Sequence, residues 1–143
     1  MIVVAMVILL AHQGETAGGL AAVRAEPNPE RRYWKALEYA VTEIQDARKS
    51  YHDGKSDAFH AAIGQVGAAV QLCDETLRST GKNPSRNPKH FKRAELKIRE
   101  ILRRMAALEN EAAVEDRPFV AKVRTDVQEL HDELLMDIMG RRR

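Results

Sequence analysis

Four stretches of the chain, each a little over twenty residues, carry apolar side chains at alternating spacings of three and four. The first holds Trp34, Leu37, Val41, Ile44, Arg48 and Tyr51, and the second Phe59, Ile63, Val66, Val70, Cys73 and Leu77. The third holds Phe91, Ala94, Ile98, Ile101, Met105, Leu108 and Ala112, and the fourth Val120, Val123, Val127, Leu130, Leu134 and Ile138. An α-helix turns once in about 3.6 residues, so this rhythm draws one narrow apolar stripe down each helix. Stripes of that width are buried by left-handed bundle packing. Gly54, the 81–88 segment and Pro118 punctuate the pattern, and the short connections near Gly54 and Val114 force antiparallel neighbours. The expected fold is all-α: an antiparallel up-down four-helix bundle made of two helical hairpins, joined by the loop 82–87. Arg48 is the one polar member of a seam, with its stem covering the core and its head reaching solvent.

Helix boundaries follow from capping chemistry. Asn28 followed by Pro29 supplies an N-cap acceptor and a residue pre-set for the first turn, predicting a helix over 30–52. Asn87 and Pro88 repeat that signal, while Ser56 and Asp116 are candidate N-caps of the second and fourth helices. Gly64, Gly67, Ala61, Ala62, Ala68 and Ala69 make the second helix the slimmest, which predicts close approach by a neighbour.

At 143 residues the chain can bury a core without metal or disulfide staples. The apolar run from Ile2 to Ala11 is ten residues long, against the roughly 20 that span a bilayer. It suits the h-region of a signal peptide, with Val23, Arg24 and Ala25 as a small-x-small cleavage site. No Lys or Arg precedes it and the polar stretch after it is long, so the pattern is atypical, and a start upstream would complete it. Residues 1–25 are read as a signal peptide and 26–143 as the bundle domain, in the periplasm or secreted. The competing reading is an apolar helix packed on the bundle. A single cysteine, Cys73, allows no intramolecular disulfide and sits on a seam as a small buried hydrophobe.

The seams hold no carboxylate and no histidine. Di-iron bundles need inward Glu and Glu-x-x-His pairs, and the residue three before His131 is Gln128. There is no Cys-x-x-Cys-His, Gly-rich phosphate loop or Gly-x-Ser-x-Gly. The expectation is a protein that is not an enzyme and has no cofactor. Haem held by Met105 and His131 fails on spacing: the partners stand about 9 Å apart along the helix axis, and His131 reads as a surface residue beside the seam. His52, Asp57 and His60 cluster with Asp53 around the first turn, so a zinc or copper site is conceivable there, against a plain capping role. A carrier of a small ligand or metal in the cell envelope is therefore the alternative function.

Charge placement supplies the leading one. Up-down folding brings Arg31, Arg32, Lys35, Arg78, Lys82, Arg86, Lys89, Lys92, Arg93, Arg141, Arg142 and Arg143 to one end. Asp46, Asp53, Asp57, Glu109, Glu111, Glu115 and Asp116 gather at the other. A basic end attracts anionic lipid head groups, acidic envelope polymers or an acidic protein partner. Nucleic acid ranks low, because an exported chain rarely meets it. Polarised bundles could also self-associate, and terminal Arg runs could serve solubility alone.

The stretches NPKHFKRAELKIRE at 87–100, DRP at 116–118 and VQELHDELL at 127–135 resemble uncharacterised small exported helical proteins of bacteria. The likeness covers the second hairpin best. It implies export and the two-hairpin layout, and it supplies neither an activity nor site residues.

Overall fold

The computed structural model describes residues 19–141. Within that range the chain is all-α: a short α1 (Gly19–Arg24), then α2 (Pro29–His52), α3 (Ser56–Ser79), α4 (Lys89–Glu111) and α5 (Arg117–Ile138). The four long helices lie where the apolar rhythm predicts them. The run from Ile2 to Ala11 lies outside the described residues. Residues 19–24, which the signal-peptide reading includes, form α1, which packs on α2 and α3 with Val23 buried.

Asn28 caps α2 as expected, its Oδ1 accepting from the N–H of Glu30 at 2.9 Å and of Arg31 at 3.2 Å. The other three expected caps do not form. Lys55, not Ser56, precedes α3, and it offers no side-chain acceptor. Asp116 stands before α5 but directs a carboxylate oxygen to within 3.5 Å of His60 Nε2. The Asn87 N–H is drawn into a turn, donating to the Asn83 carbonyl at 2.8 Å, so α4 starts behind Pro88 with no side-chain cap. Gly54 and Gly81, with φ of +72° and +68°, take the left-handed conformation that stops α2 and α3.

The most extensive contact is between α2 and α3. Ala36, Ala40 and Ala47 on α2 and Ala62 and Ala69 on α3 are all buried. Side chains this small let two helix axes approach closely, as the sequence of α3 predicts. On its other flank α3 meets α5, where a Cβ built at Gly67 would lie 3.1 Å from Val123 Cγ1. α4 packs on α5 and on α2 and touches α3 sparsely. The starts of α2 and α4 are neighbours through Tyr33 and His90, and their ends through Tyr51, whose hydroxyl accepts from the Ala113 N–H at 2.5 Å.

The buried faces are wider than the expected seams and rotated from them. On α2, Tyr33 is 1% exposed while Trp34 and Val41 are only partly buried. On α5, Val123, Leu130 and Ile138 sit on the flank of the core and His131 points inward. The small residues of α2 explain its rotation, since they must face α3 for the axes to approach. Arg48 lies half-buried with its guanidinium on Glu111 at 3.0 Å. Cys73 is fully buried, which pushes its thiol far above the ordinary range.

The α3–α5 contact yields a paired test. Gly64 has open space where a Cβ would stand, so Gly64→Ala should stabilise by about 0.5–1 kcal/mol through helix propensity. Gly67→Leu should cost about 1–3 kcal/mol by driving α5 outward. Urea unfolding followed by circular dichroism measures both.

Candidate anion-binding end

The end formed by the starts of α2 and α4, the α3–α4 loop and the end of α5 gathers the cations that the sequence assigns there. Arg142 and Arg143 lie outside the described residues. The remaining ten divide into two groups. Arg78 is enclosed by Asp74 at 3.0 Å, Asp137 at 3.3 Å and Glu133 at 3.8 Å, and the Asp74 bond foremost raises its pKa. Lys35 donates to Glu26 at 2.5 Å, which holds that carboxyl below its usual range. Arg32 donates to Thr76 Oγ1 and to the Glu26 carbonyl. Lys82 lies 3.8 Å from Glu30. The Arg93 guanidinium sits 3.9 Å above the Trp34 ring.

The second group is free. Arg86, Lys89 and Lys92 are exposed, and their side chains form no hydrogen bond or ion pair among the described residues. Arg31 acts on Glu26 only through space, and Arg141 is exposed at a groove edge. The positive surface therefore lies on the α2–α4 side, while three carboxylates neutralise the α3–α5 side. It continues along the outward stripe of α4 through Lys89, Lys92 and Arg103, interrupted by Leu96, which is 60% exposed, and by Arg99, which is paired with Glu95. The first turn of α4 has no acidic residue and no side-chain cap. Its N-terminal partial positive charge and the flanking cations thus reinforce each other.

Two concavities open at this end. The larger, about 930 Å³, runs between the α3–α4 loop and the end of α5, with Arg78, Pro84, Leu134, Met136 and Arg141 among its walls. The smaller, about 200 Å³, lies among Pro29, Glu30, Tyr33, Leu77, Thr80, Lys82, His90 and Phe91. Tyr33 is buried in the wall of this recess, which raises its phenol pKa. Its hydroxyl meets His90 Nδ1 at 2.9 Å, and His90 Nε2 meets Glu30 Oε1 at 3.2 Å. Tyr33, His90 and Glu30 thus stand in one line of polar contacts. Nothing in local spacing announces this chain, because Tyr33 and His90 come from different helices.

The expected metal ligands do not converge. His52 Nε2 lies 3.9 Å from Glu111 and His60 Nε2 3.5 Å from Asp116, while Asp57 stays exposed. The α2–α3 turn docks against the α4–α5 turn, so each histidine faces the nearest acid of the other hairpin. Among the described residues no group of three or more His, Cys, Asp or Glu could hold a metal ion. His131 is likewise corrected: it is 7% exposed, not a surface residue, and its Nε2 donates to Glu95 Oε1 at 2.8 Å. Glu95, itself 5% exposed, also accepts from Arg99. That commits His131 to a position ten residues, about 15 Å, along α4 from Met105, and the two do not face a common space. Glu43 is a second buried carboxyl. Burial raises its pKa, Asp46 pushes the same way and a bond from Tyr39 opposes both.

Compared with family models, with curated proteins and with solved structures, the chain matches none. No helix among the described residues is long and apolar enough to cross a membrane.

Two predictions test the buried polar groups. Glu95→Ala orphans His131 Nε2 and should cost about 3 kcal/mol, whereas His131→Ala leaves Glu95 bonded to Arg99 and should cost about 1–2 kcal/mol. For Glu43 the raised folded-state pKa means its contribution to stability is present below the unfolded carboxyl pKa and lost as pH rises through the folded value. Glu43→Gln should therefore be more stable than the parent at about pH 8, by about 1 kcal/mol or less, with the gain vanishing at about pH 4. Chemical unfolding across that range reads both.

Proposed function

We propose that this chain is a non-catalytic, exported interaction protein that binds an anionic surface through the α2–α4 side of its basic end. In this reading the four long helices form an up-down-up-down antiparallel bundle. The start-to-start pairing of α2 with α4 and their end-to-end contact through Tyr51 support that arrangement. The observation that carries the function is the trio Arg86, Lys89 and Lys92, exposed and unpaired beside an uncapped helix start that has no acidic residue. The arrangement also narrows the surface. Of the cations proposed from sequence, Arg78 and Lys35 are neutralised by carboxylates, so they add little field outside the molecule.

Export rests on the apolar run from Ile2 to Ala11 and the small-x-small site behind it. Cleavage after Ala25 would remove α1 and uncover the flank of α2 and α3 that Val23 covers.

Binding to vesicles containing anionic lipid, and to polyglutamate, at low and high salt tests the surface. Each Lys or Arg near an anionic surface contributes about 1 kcal/mol, so Arg86→Ala, Lys89→Ala and Lys92→Ala together should weaken binding roughly 100-fold. Lys122→Ala, on α5, should leave it unchanged. Salt-independent binding, or none to either probe, would sink the proposal.

A further inference from the structure

We propose that the recess of about 200 Å³ between the starts of α2 and α4 and the end of α3 binds a small apolar molecule carrying a carboxylate. This goes beyond the anionic-surface reading and does not rest on it, since it needs the recess rather than the exposed cations.

The walls set the body of the ligand. Pro29, Leu77 and the rings of Tyr33 and Phe91 form an apolar lining. An enclosed apolar space of about 150 Å³ suffices for a benzene-sized guest, so this one takes a single ring with a short substituent. The polar groups set the head. Tyr33 and His90 are occupied with one another, His90 with Glu30, and the Thr80 hydroxyl donates to the Leu77 carbonyl at 2.7 Å. Lys82 alone has donors to spare. Its ammonium meets only Glu30, at 3.8 Å, and both side chains are half-exposed. Glu30 is the sole acid of the lining and already serves both His90 and Lys82. An arriving ammonium would have to compete for it, while an arriving carboxylate would find the Lys82 ammonium. The chain neighbours Arg31 and Lys89 make the surroundings positive as well. Lys82 and Phe91 also line the larger groove, so a longer molecule can leave the recess past Lys82 along Pro84, Leu134 and Met136.

The chain has one tryptophan, and the Trp34 ring lies 6.4 Å from that of Tyr33, so its fluorescence reports on the recess. The full chain would be titrated with benzoate, benzyl alcohol, benzylamine and acetate. Benzoate should saturate, bind at least tenfold tighter than the other three, and lose at least fivefold in affinity in Lys82→Ala. Lys122→Ala, on α5 and paired with Asp126, should leave it unchanged. A shift of the His90 ring protons on benzoate addition, read by NMR, provides a second measure that does not depend on Trp34. No saturation by benzoate up to about 10 mM, the weakest affinity expected of a ligand this small, would overturn the proposal. Equal binding of acetate would also overturn it by reducing the effect to anion attraction at the surface, and a preference for benzylamine would reverse the assigned head group.

Discussion

The close approach of α2 and α3 governs the rest of the molecule. Ala36, Ala40 and Ala47 of α2 and Ala62 and Ala69 of α3 are all buried, and these two helices share the most extensive contact in the fold. Close packing of small residues gains many weak dispersion contacts and loses little side-chain entropy. The larger apolar residues of both helices, Leu37, Ile44, Ile63, Val66 and Val70, are buried in the common core. α4 and α5 then bury the exposed face, α4 chiefly on α2 and α5 chiefly on α3. The rotation that places Tyr33 inside and Trp34 at the surface follows from the same demand.

α4 has no comparable stripe of small residues, and polar contacts position it instead. His90 ties its start to Tyr33 and Glu30 of α2, and Glu95 ties its next turns to His131 of α5. A core of Ile, Leu and Met tolerates sliding by a repeat at modest cost. The buried Glu95–His131 pair does not, because His131 Nε2 parted from its carboxylate is orphaned and keeps its full desolvation penalty. The polar pairs therefore define where along its neighbours α4 can sit, while the aliphatic contacts supply the net stabilisation. The same registration brings Leu77, Phe91 and Tyr33 round the recess.

The four long helices, their extent and the slim face of α3 were legible in the sequence because they are local: spacing, glycine and small residues suffice, whereas the short α1 falls in the stretch read as a signal peptide. The true width of the buried faces was not. A seam of alternating threes and fours describes a narrow stripe, whereas globular packing buries a broader arc, and His131 and Glu95 lie in the part the narrow template leaves out. Their pairing spans 36 positions, so no short-range pattern carries it. The metal trio failed for a related reason, since the acids that meet His52 and His60 come from α4 and the turn after it. The cations of the basic end were all visible, but their neutralisation by Glu26 and Glu133 depends on which side of which helix faces them. Three of the four expected caps were lost to competing partners or to a shifted first residue, and only Asn28 kept its own helix.

The start of α4 is where local preference and structure disagree most. Helices favour carboxylates in the first turn and an acceptor at the N-cap, each contributing about 0.5–1 kcal/mol. Here the first turn offers Lys89, Lys92 and His90, with Pro88 before it and no acidic residue. The backbone N–H groups of that turn lack a side-chain acceptor, and the cations beside them raise the local positive potential. Among the described residues Glu30, 3.2 Å from His90 Nε2, is the one carboxylate that reaches this turn. An anion docked against this turn would accept from the free N–H groups, screen the lysines from one another and restore the dipole preference in a single contact. The electrostatic cost carried by the unliganded protein is thus the same quantity that an anionic partner recovers on binding.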